Sequence, residues 1–195
     1  MRADAATLRL AVFPRPTFLT DALLIVAGTA LVSLCAQISV KLSFTPVPIT
    51  GQTFAVCLVG ASLGAARGAA SLALYFLIGV LGAPVYAHHD HGWDVITSAS
   101  GGYIVGFVAA AAVTGALAEH GWDRRFSSAV GAMLTGNVVI YLVGLPWLAV
   151  VLDTNLEQTL EDGLYPFVPG DLFKLYCAAA LLPAAWRGVK YLDSR

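Results

Sequence analysis

Two long apolar stretches limit this chain more than anything else in it. One runs from Leu19 to Val40 with only small polar interruptions, and the other from Ser128 to Leu152. A helix needs about 20 predominantly apolar residues to cross a bilayer, and each stretch is long enough. A cleaved signal peptide has a shorter apolar core. The small residues between Ala27 and Ala30 offer a cleavage site, but the length of the first stretch favours a retained transmembrane helix. In lipid every backbone polar group must be satisfied internally, so such stretches fold as helices.

Composition agrees. Of 195 residues 58% are hydrophobic and only 12% charged, whereas soluble domains carry roughly 25% charge. The expected fold class is therefore an all-α integral membrane protein. Net charge is −1, which provides no basic face for nucleic acid. The three cysteines, Cys35, Cys57 and Cys177, lie in apolar stretches without a CxxC pair and are expected to pack as small apolar side chains.

Punctuation by Gly, Pro and charge divides the chain into six expected helices. They run from Leu19 to Val40, Thr53 to Leu63, Ala69 to Leu81, Gly101 to Ala118, Ser128 to Leu152, and Asp171 to Trp186. Residues 1–18 read as a polar tail with room for a short interfacial helix, and residues 19–195 as one domain. In this arrangement Arg2, Arg9, Arg15, Arg67, Arg124, Arg125, Arg187, Lys190 and Arg195 fall on one side, and only Lys41 and Lys174 on the other. The excess of Lys and Arg marks the cytoplasmic side, so both termini are expected there. The second and third helices are short for their span, a feature that often flanks a binding site in transporters.

The sixth helix opens with Pro169-Gly170-Asp171-Leu172-Phe173-Lys174. A charge costs about 2.5–3.5 kcal/mol at the centre of an inserted helix, so a pair beside lipid needs a reason. Two readings stand. Asp171 and Lys174, at i and i+3, share a helix face and could present an acceptor and a donor to a polar uncharged ring. Alternatively, Gly170 and Asp171 cap the helix while Lys174 pairs with Asp171 and reaches outward. In Pro46-Val47-Pro48-Ile49-Thr50-Gly51-Gln52-Thr53 the prolines stiffen a loop. Gly51 permits an unusual backbone angle, and Gln52 is left with donor and acceptor free at a helix entry. The competing reading is a plain turn capped by Thr50 or Thr53. Ser100-Gly101-Gly102-Tyr103 allows close approach of a ligand or a neighbouring helix, with Tyr103 either facing that site or belonging to an interfacial aromatic belt. Gly60/Gly64 and Gly102/Gly106 are pairs of the kind that packs helices tightly, and Asn137 reads as an interhelical hydrogen-bonding group. His88-His89-Asp90-His91 invites a metal reading, but adjacent loop residues seldom converge on one ion, and no metal site is expected. No phosphate-binding G-x-x-x-x-G-K-[ST] occurs, so ATP-driven work would need a partner.

Taken together, Pro46 to Thr53, Leu63-Gly64 with Gly68, Leu81 to Ala87, Ser100 to Tyr103 and Pro169 to Lys174 resemble the BioY family in order and spacing. BioY proteins are the biotin-specific substrate-binding (S) components of energy-coupling factor transporters. The resemblance implies a six-helix S-component bundle that captures biotin from outside. It implies a transmembrane coupling subunit and two cytoplasmic ATPases as partners, no cofactor of its own, and no catalysis. It assigns biotin contacts to Asp171 and Lys174 at the ureido ring, Gln52 in the first loop, Asp90 in the loop after the third helix, and Tyr103. An amide is expected where Asp90 stands, and Pro-Thr or Pro-Ser where Ala99-Ser100 stands. The first helix offers Ala27, Ala30 and Ser33 rather than a strict Ala-x-x-x-Ala docking motif. The chemistry agrees: two ureido N–H donors and one carbonyl suit an Asp and a Lys, and Tyr86, Tyr103 and Phe167 are candidate walls for the apolar parts. Two alternatives stand beside this reading, the same fold serving another vitamin or a transition metal, and an intramembrane serine protease using Ser100. The second fails on distance, because His120 lies about a membrane thickness away.

Overall fold

The structure is a computed structural model and describes residues 6–14 and 17–193. Nine α-helices occur among them: α1 (Leu8–Val12), α2 (Phe18–Gln37), α3 (Gln52–Leu63), α4 (Ala65–Val80), α5 (Trp93–Thr97), α6 (Gly101–Glu119), α7 (Phe126–Leu152), α8 (Leu156–Gly163) and α9 (Val168–Asp193). A two-stranded antiparallel ribbon, β1 (Ser39–Val40) and β2 (Ile49–Thr50), pairs Ser39 with Thr50 and Val40 with Ile49. The expected long helices correspond to α2, α3, α4, α6, α7 and α9.

Three of these, α2, α6 and α7, are each long and apolar enough to cross a membrane. The pair α8 and α9, bent by 50°, makes a fourth span if counted together. At 1.5 Å per residue, α3 and α4 are shorter than the roughly 30 Å hydrocarbon thickness.

Helix α6 occupies the centre, with 61% of its span buried against 17% for α2. It packs on α3, α4 and α7, while α9 packs on α7 and α3. Small residues make this possible. Lipid provides no hydrophobic drive between helices, so association depends on close packing. A Cβ on Gly60 would meet the Ala111 carbonyl oxygen at 2.5 Å, and one on Gly106 would meet the Ile140 carbonyl oxygen at 3.2 Å. Ala55, Ala61, Ala110, Ala132, Ala178 and Ala179 are buried, whereas Leu34, Leu142, Val150 and Phe173 face outward. That exposed belt suits a lipid solvent.

Local differences from expectation have physical causes. The turn between α3 and α4 is a single residue, Gly64, at φ +86°, so Arg67 and Gly68 are already helical. Gly64 serves conformation as well as packing, since a Cβ on Gly115 of α6 would meet its carbonyl carbon at 2.5 Å. Glu119, at the far end of α6, accepts the Ala65 N–H at 2.9 Å and supplies the missing cap of α4. Gly51 has an ordinary helical backbone (φ −76°, ψ 0°). It is needed instead for close approach, since a Cβ there would stand 2.8 Å from the Cys35 carbonyl oxygen. Helix α9 begins at Val168, and the Asp171 N–H bonds the Phe167 carbonyl at 2.8 Å. Asp171 is thus inside the first turn and is no cap. Asn137 is buried, but its Oδ1 meets no partner among the described residues, so the expected interhelical bond is not found.

Charges gather at the end of the bundle where α2 begins and α6 finishes. Asp21 pairs with Arg9 of α1 and, at 2.9 Å, with Arg67 of α4. Arg2, Arg15 and Arg195 lie outside the described residues.

Candidate functional site

At the opposite end, a cavity of about 440 Å³ opens between the ribbon, the 87–100 loop and the N-termini of α3, α6 and α9. That volume falls within the range of small-molecule sites, roughly 300–1,000 Å³. Asp171, Lys174, Gln52, Asp90 and Tyr103 all line it, as do Tyr86 and Phe167. Gln52, Tyr103, Asp171 and Lys174, far apart in sequence, line one cavity because the N-terminal turns of α3, α6 and α9 converge there, and Asp90 joins them from the loop.

Asp171 sits one turn into α9, where the helix dipole favours a negative charge. It is 5% exposed. Its Oδ1 accepts the Thr53 hydroxyl at 3.0 Å and lies 2.6 Å from Lys174 Nζ, while its Oδ2 accepts the Tyr141 hydroxyl. An ionised carboxylate has about four acceptor sites, so three donors leave room for one more. Lys174 also donates to the Thr50 carbonyl at 2.8 Å. One of its three N–H groups is therefore left over for a carbonyl oxygen. A buried carboxylate with one acceptor position and an ammonium with one donor, three residues apart, together match a ring that offers N–H beside C=O.

Gln52 differs from expectation. Its Oε1 accepts the Thr50 hydroxyl at 2.8 Å and its Nε2 donates to the Tyr75 hydroxyl at 2.7 Å. The amide supports the wall rather than standing free. Gly51 holds the N-cap position of α3, and the Thr50 hydroxyl accepts the Gln52 N–H at 3.2 Å, as the capping reading expected of Thr50. The Tyr103 hydroxyl donates to the Gly163 carbonyl at 2.9 Å, and its ring meets Tyr141 edge-on at 6.2 Å. Tyr103 thus fastens α8 over the site. Asp90 is exposed at the cavity rim. Burial pushes the Tyr86 phenol up to about 12. It stays protonated and donates to the Phe76 carbonyl at 2.8 Å.

Tyr141 is the residue that sequence reading missed. It lies in the apolar interior of α7, and nothing local marks it as the partner of a carboxylate thirty residues on. Gln37 was missed as well. It closes α2 and clamps the 85–89 segment, donating to the Tyr86 carbonyl at 3.0 Å and accepting the His89 N–H at 3.0 Å. Among the described residues no group of three His, Cys, Asp or Glu is arranged to hold a metal ion.

The BioY family model matches residues 5–191. The chain belongs to the BioY family. A curated BioY relative, the biotin transporter of Rhizobium etli, is 35% identical over 163 residues, covering 80% of this chain and 87% of that protein. The biotin transporter BioY of Thermotoga maritima is 37% identical over 160 residues, covering 81% of this chain and 92% of its own. Among solved structures, the S-component for biotin from an ECF-type ABC transporter superposes with a TM-score of 0.76 at 22% identity. The match covers 87% of this chain and 94% of that one. At that identity the likeness establishes the fold, which is that of an S component. BioY membership and the apolar α2, α6 and α7 make this a membrane protein.

Proposed function

We propose that this chain captures biotin and takes it up across the cytoplasmic membrane as the substrate-specific component of an energy-coupling factor transporter. The observation that carries the reading is the Asp171–Lys174 pair, held by Thr53, Tyr141 and the Thr50 carbonyl in the wall of the cavity. The carboxylate accepts a ureido N–H and Lys174 donates to the ureido oxygen. A site built around buried polar groups rejects analogues that leave those groups unpaired, by as much as 10⁴-fold. Tyr103, Tyr86 and Phe167 supply walls for the bicycle, Gln52 stiffens the wall beneath, and Asp90 lies at the rim.

In this reading residues 19–195 form one domain of six spans, with α3 and α4 short because they end at the cavity or at the Gly64 turn. Both termini are cytoplasmic, and the cavity opens outward. Release needs a change of orientation, driven through a transmembrane coupling subunit and two cytoplasmic ATPases. The protein requires no cofactor for binding and performs no catalysis.

Purification of the full chain followed by mass spectrometry of the released small molecules, and then a binding panel of biotin, other vitamins and divalent metals, tests this directly. Biotin is expected both to co-purify and to bind most tightly. Tight binding of another vitamin or of a metal, without biotin binding, would overturn it.

A further inference from the structure

His88 is held in a conformation that the loop alone does not favour. Both His88 (φ 60°) and His89 (φ 63°) have left-handed backbones, which side-chain-bearing residues seldom adopt, and such outliers persist only when their surroundings over-determine them. Here the surroundings do so. Gln37 grips the segment from one side, and His88 Nδ1 is hydrogen-bonded to Ser39 Oγ at 3.0 Å. The ring lines the cavity, yet its Nε2 is buried without a hydrogen-bond partner among the described residues. The ribbon connects this ring to the other end of the site. Ser39 pairs with Thr50 in the ladder, and the Thr50 carbonyl holds Lys174 at 2.8 Å. The two strands of the ribbon thus stand between His88 and Lys174. Lys41, immediately beyond β1, also lines the cavity and is exposed.

We propose that His88 and Lys41 form a second subsite, which receives the carboxylate at the tail end of the ligand. The proposal rests on the biotin reading, since it takes the Asp171–Lys174 wall as the place of the ureido ring. Biotin carries its carboxylate on an extended aliphatic tail, and the ribbon sets His88 and Lys41 apart from the Asp171–Lys174 wall within the same cavity. When the Ser39 hydroxyl donates to Nδ1, the ring proton resides on Nε2, which then donates to a carboxylate oxygen. Lys41 supplies the charge. The remaining charged or titratable groups of the rim, Asp90, His91 and Asp94, are exposed and hydrated.

The test compares biotin with biotinamide, which keeps the ring and loses the negative charge, in equilibrium binding to the purified full-length protein. Biotin is expected to bind about tenfold more tightly than biotinamide. His88→Asn, chosen because Asn tolerates the left-handed backbone, and Lys41→Ala should each erase most of that preference while leaving biotinamide affinity unchanged. Retained biotinamide binding also reports that each variant is folded. Equal affinity of the wild type for both ligands, or parallel loss of both in the variants, would overturn the subsite and leave the biotin reading standing. If the wild type binds neither ligand, both readings fall.

Discussion

The two ends of this bundle use polar side chains in opposite ways. At the charged end they are spent on one another. Arg9, Asp21 and Arg67 tie α1, α2 and α4 together, Glu119 caps α4, and the Trp186 indole donates to Asp123 at 2.6 Å under a cation–π contact from Arg124. At the cavity end Asp171, Lys174 and His88 are each held by neighbours, yet keep one hydrogen-bonding position without a partner among the described residues. A membrane protein tolerates the cost of buried polarity in either form. In the first it gains rigidity, and in the second it stores the capacity to recognise a ligand.

If that contrast holds, the largest effect lies at the cavity end and concerns ligand rather than fold. Asp171→Asn and Lys174→Ala should each weaken biotin binding by about a hundredfold or more, since each leaves a buried partner unpaired. Isothermal titration of purified variants measures this, and unchanged affinity in both would sink the site assignment. Thermal unfolding should shift far less in Lys174→Ala, whose partner Asp171 keeps Thr53 and Tyr141.

Next comes the charged end, where the outcome should be inverted. Asp21→Asn removes the shared partner of two arginines, one of them buried. Amide hydrogen exchange should accelerate in α1 and at the start of α2, with biotin affinity preserved. A loss of affinity as large as that of Asp171→Asn would break the comparison.

A smaller effect is expected at Asp123, in the connection between α6 and α7. Burial raises its carboxyl above the usual range, outweighing the Trp186 N–H and the Arg124 charge, which lower it. Its Oδ1 has no hydrogen-bond partner among the described residues. The native state therefore favours the protonated form. Its stabilising contribution is fully present below the unfolded value of about 3.9 and is lost as pH rises through the higher folded value. Unfolding midpoints measured across mildly acidic pH should show this slope in the wild type and not in Asp123→Asn, which should match or exceed the wild type at neutral pH.

The smallest effect is expected at Asp90. Its exposed carboxylate is hydrated, so Asp90→Asn should change biotin affinity by only about threefold or less in equilibrium binding. A tenfold gain would show that the amide expected there contacts the ligand directly.

Much of this was legible in the sequence. Long apolar stretches can only be helices in lipid, so α2, α6 and α7 followed from composition and length. The five motifs that resemble the BioY family named residues that do line one cavity. The misread positions share a cause. Gly51 was read as a conformational glycine and Asp171 as a possible cap, because sequence shows neighbours along the chain and not neighbours across it. Gly51 answers to the Cys35 carbonyl, and Asp171 to Thr53 and Tyr141. Gln52 was expected to be free for the same reason, and Tyr75 takes its amide.

The amino-acid sequence by itself determined the solvent this protein folds in, the order of its apolar helices, and the chemistry available for a ligand. Hydropathy and residue type are local properties, and they survive without coordinates. Only the tertiary structure decided which polar groups are satisfied and which keep a hydrogen bond to offer. That depends on how α3, α7, α9 and the short ribbon meet, and small residues let those elements approach within a few ångströms of one another.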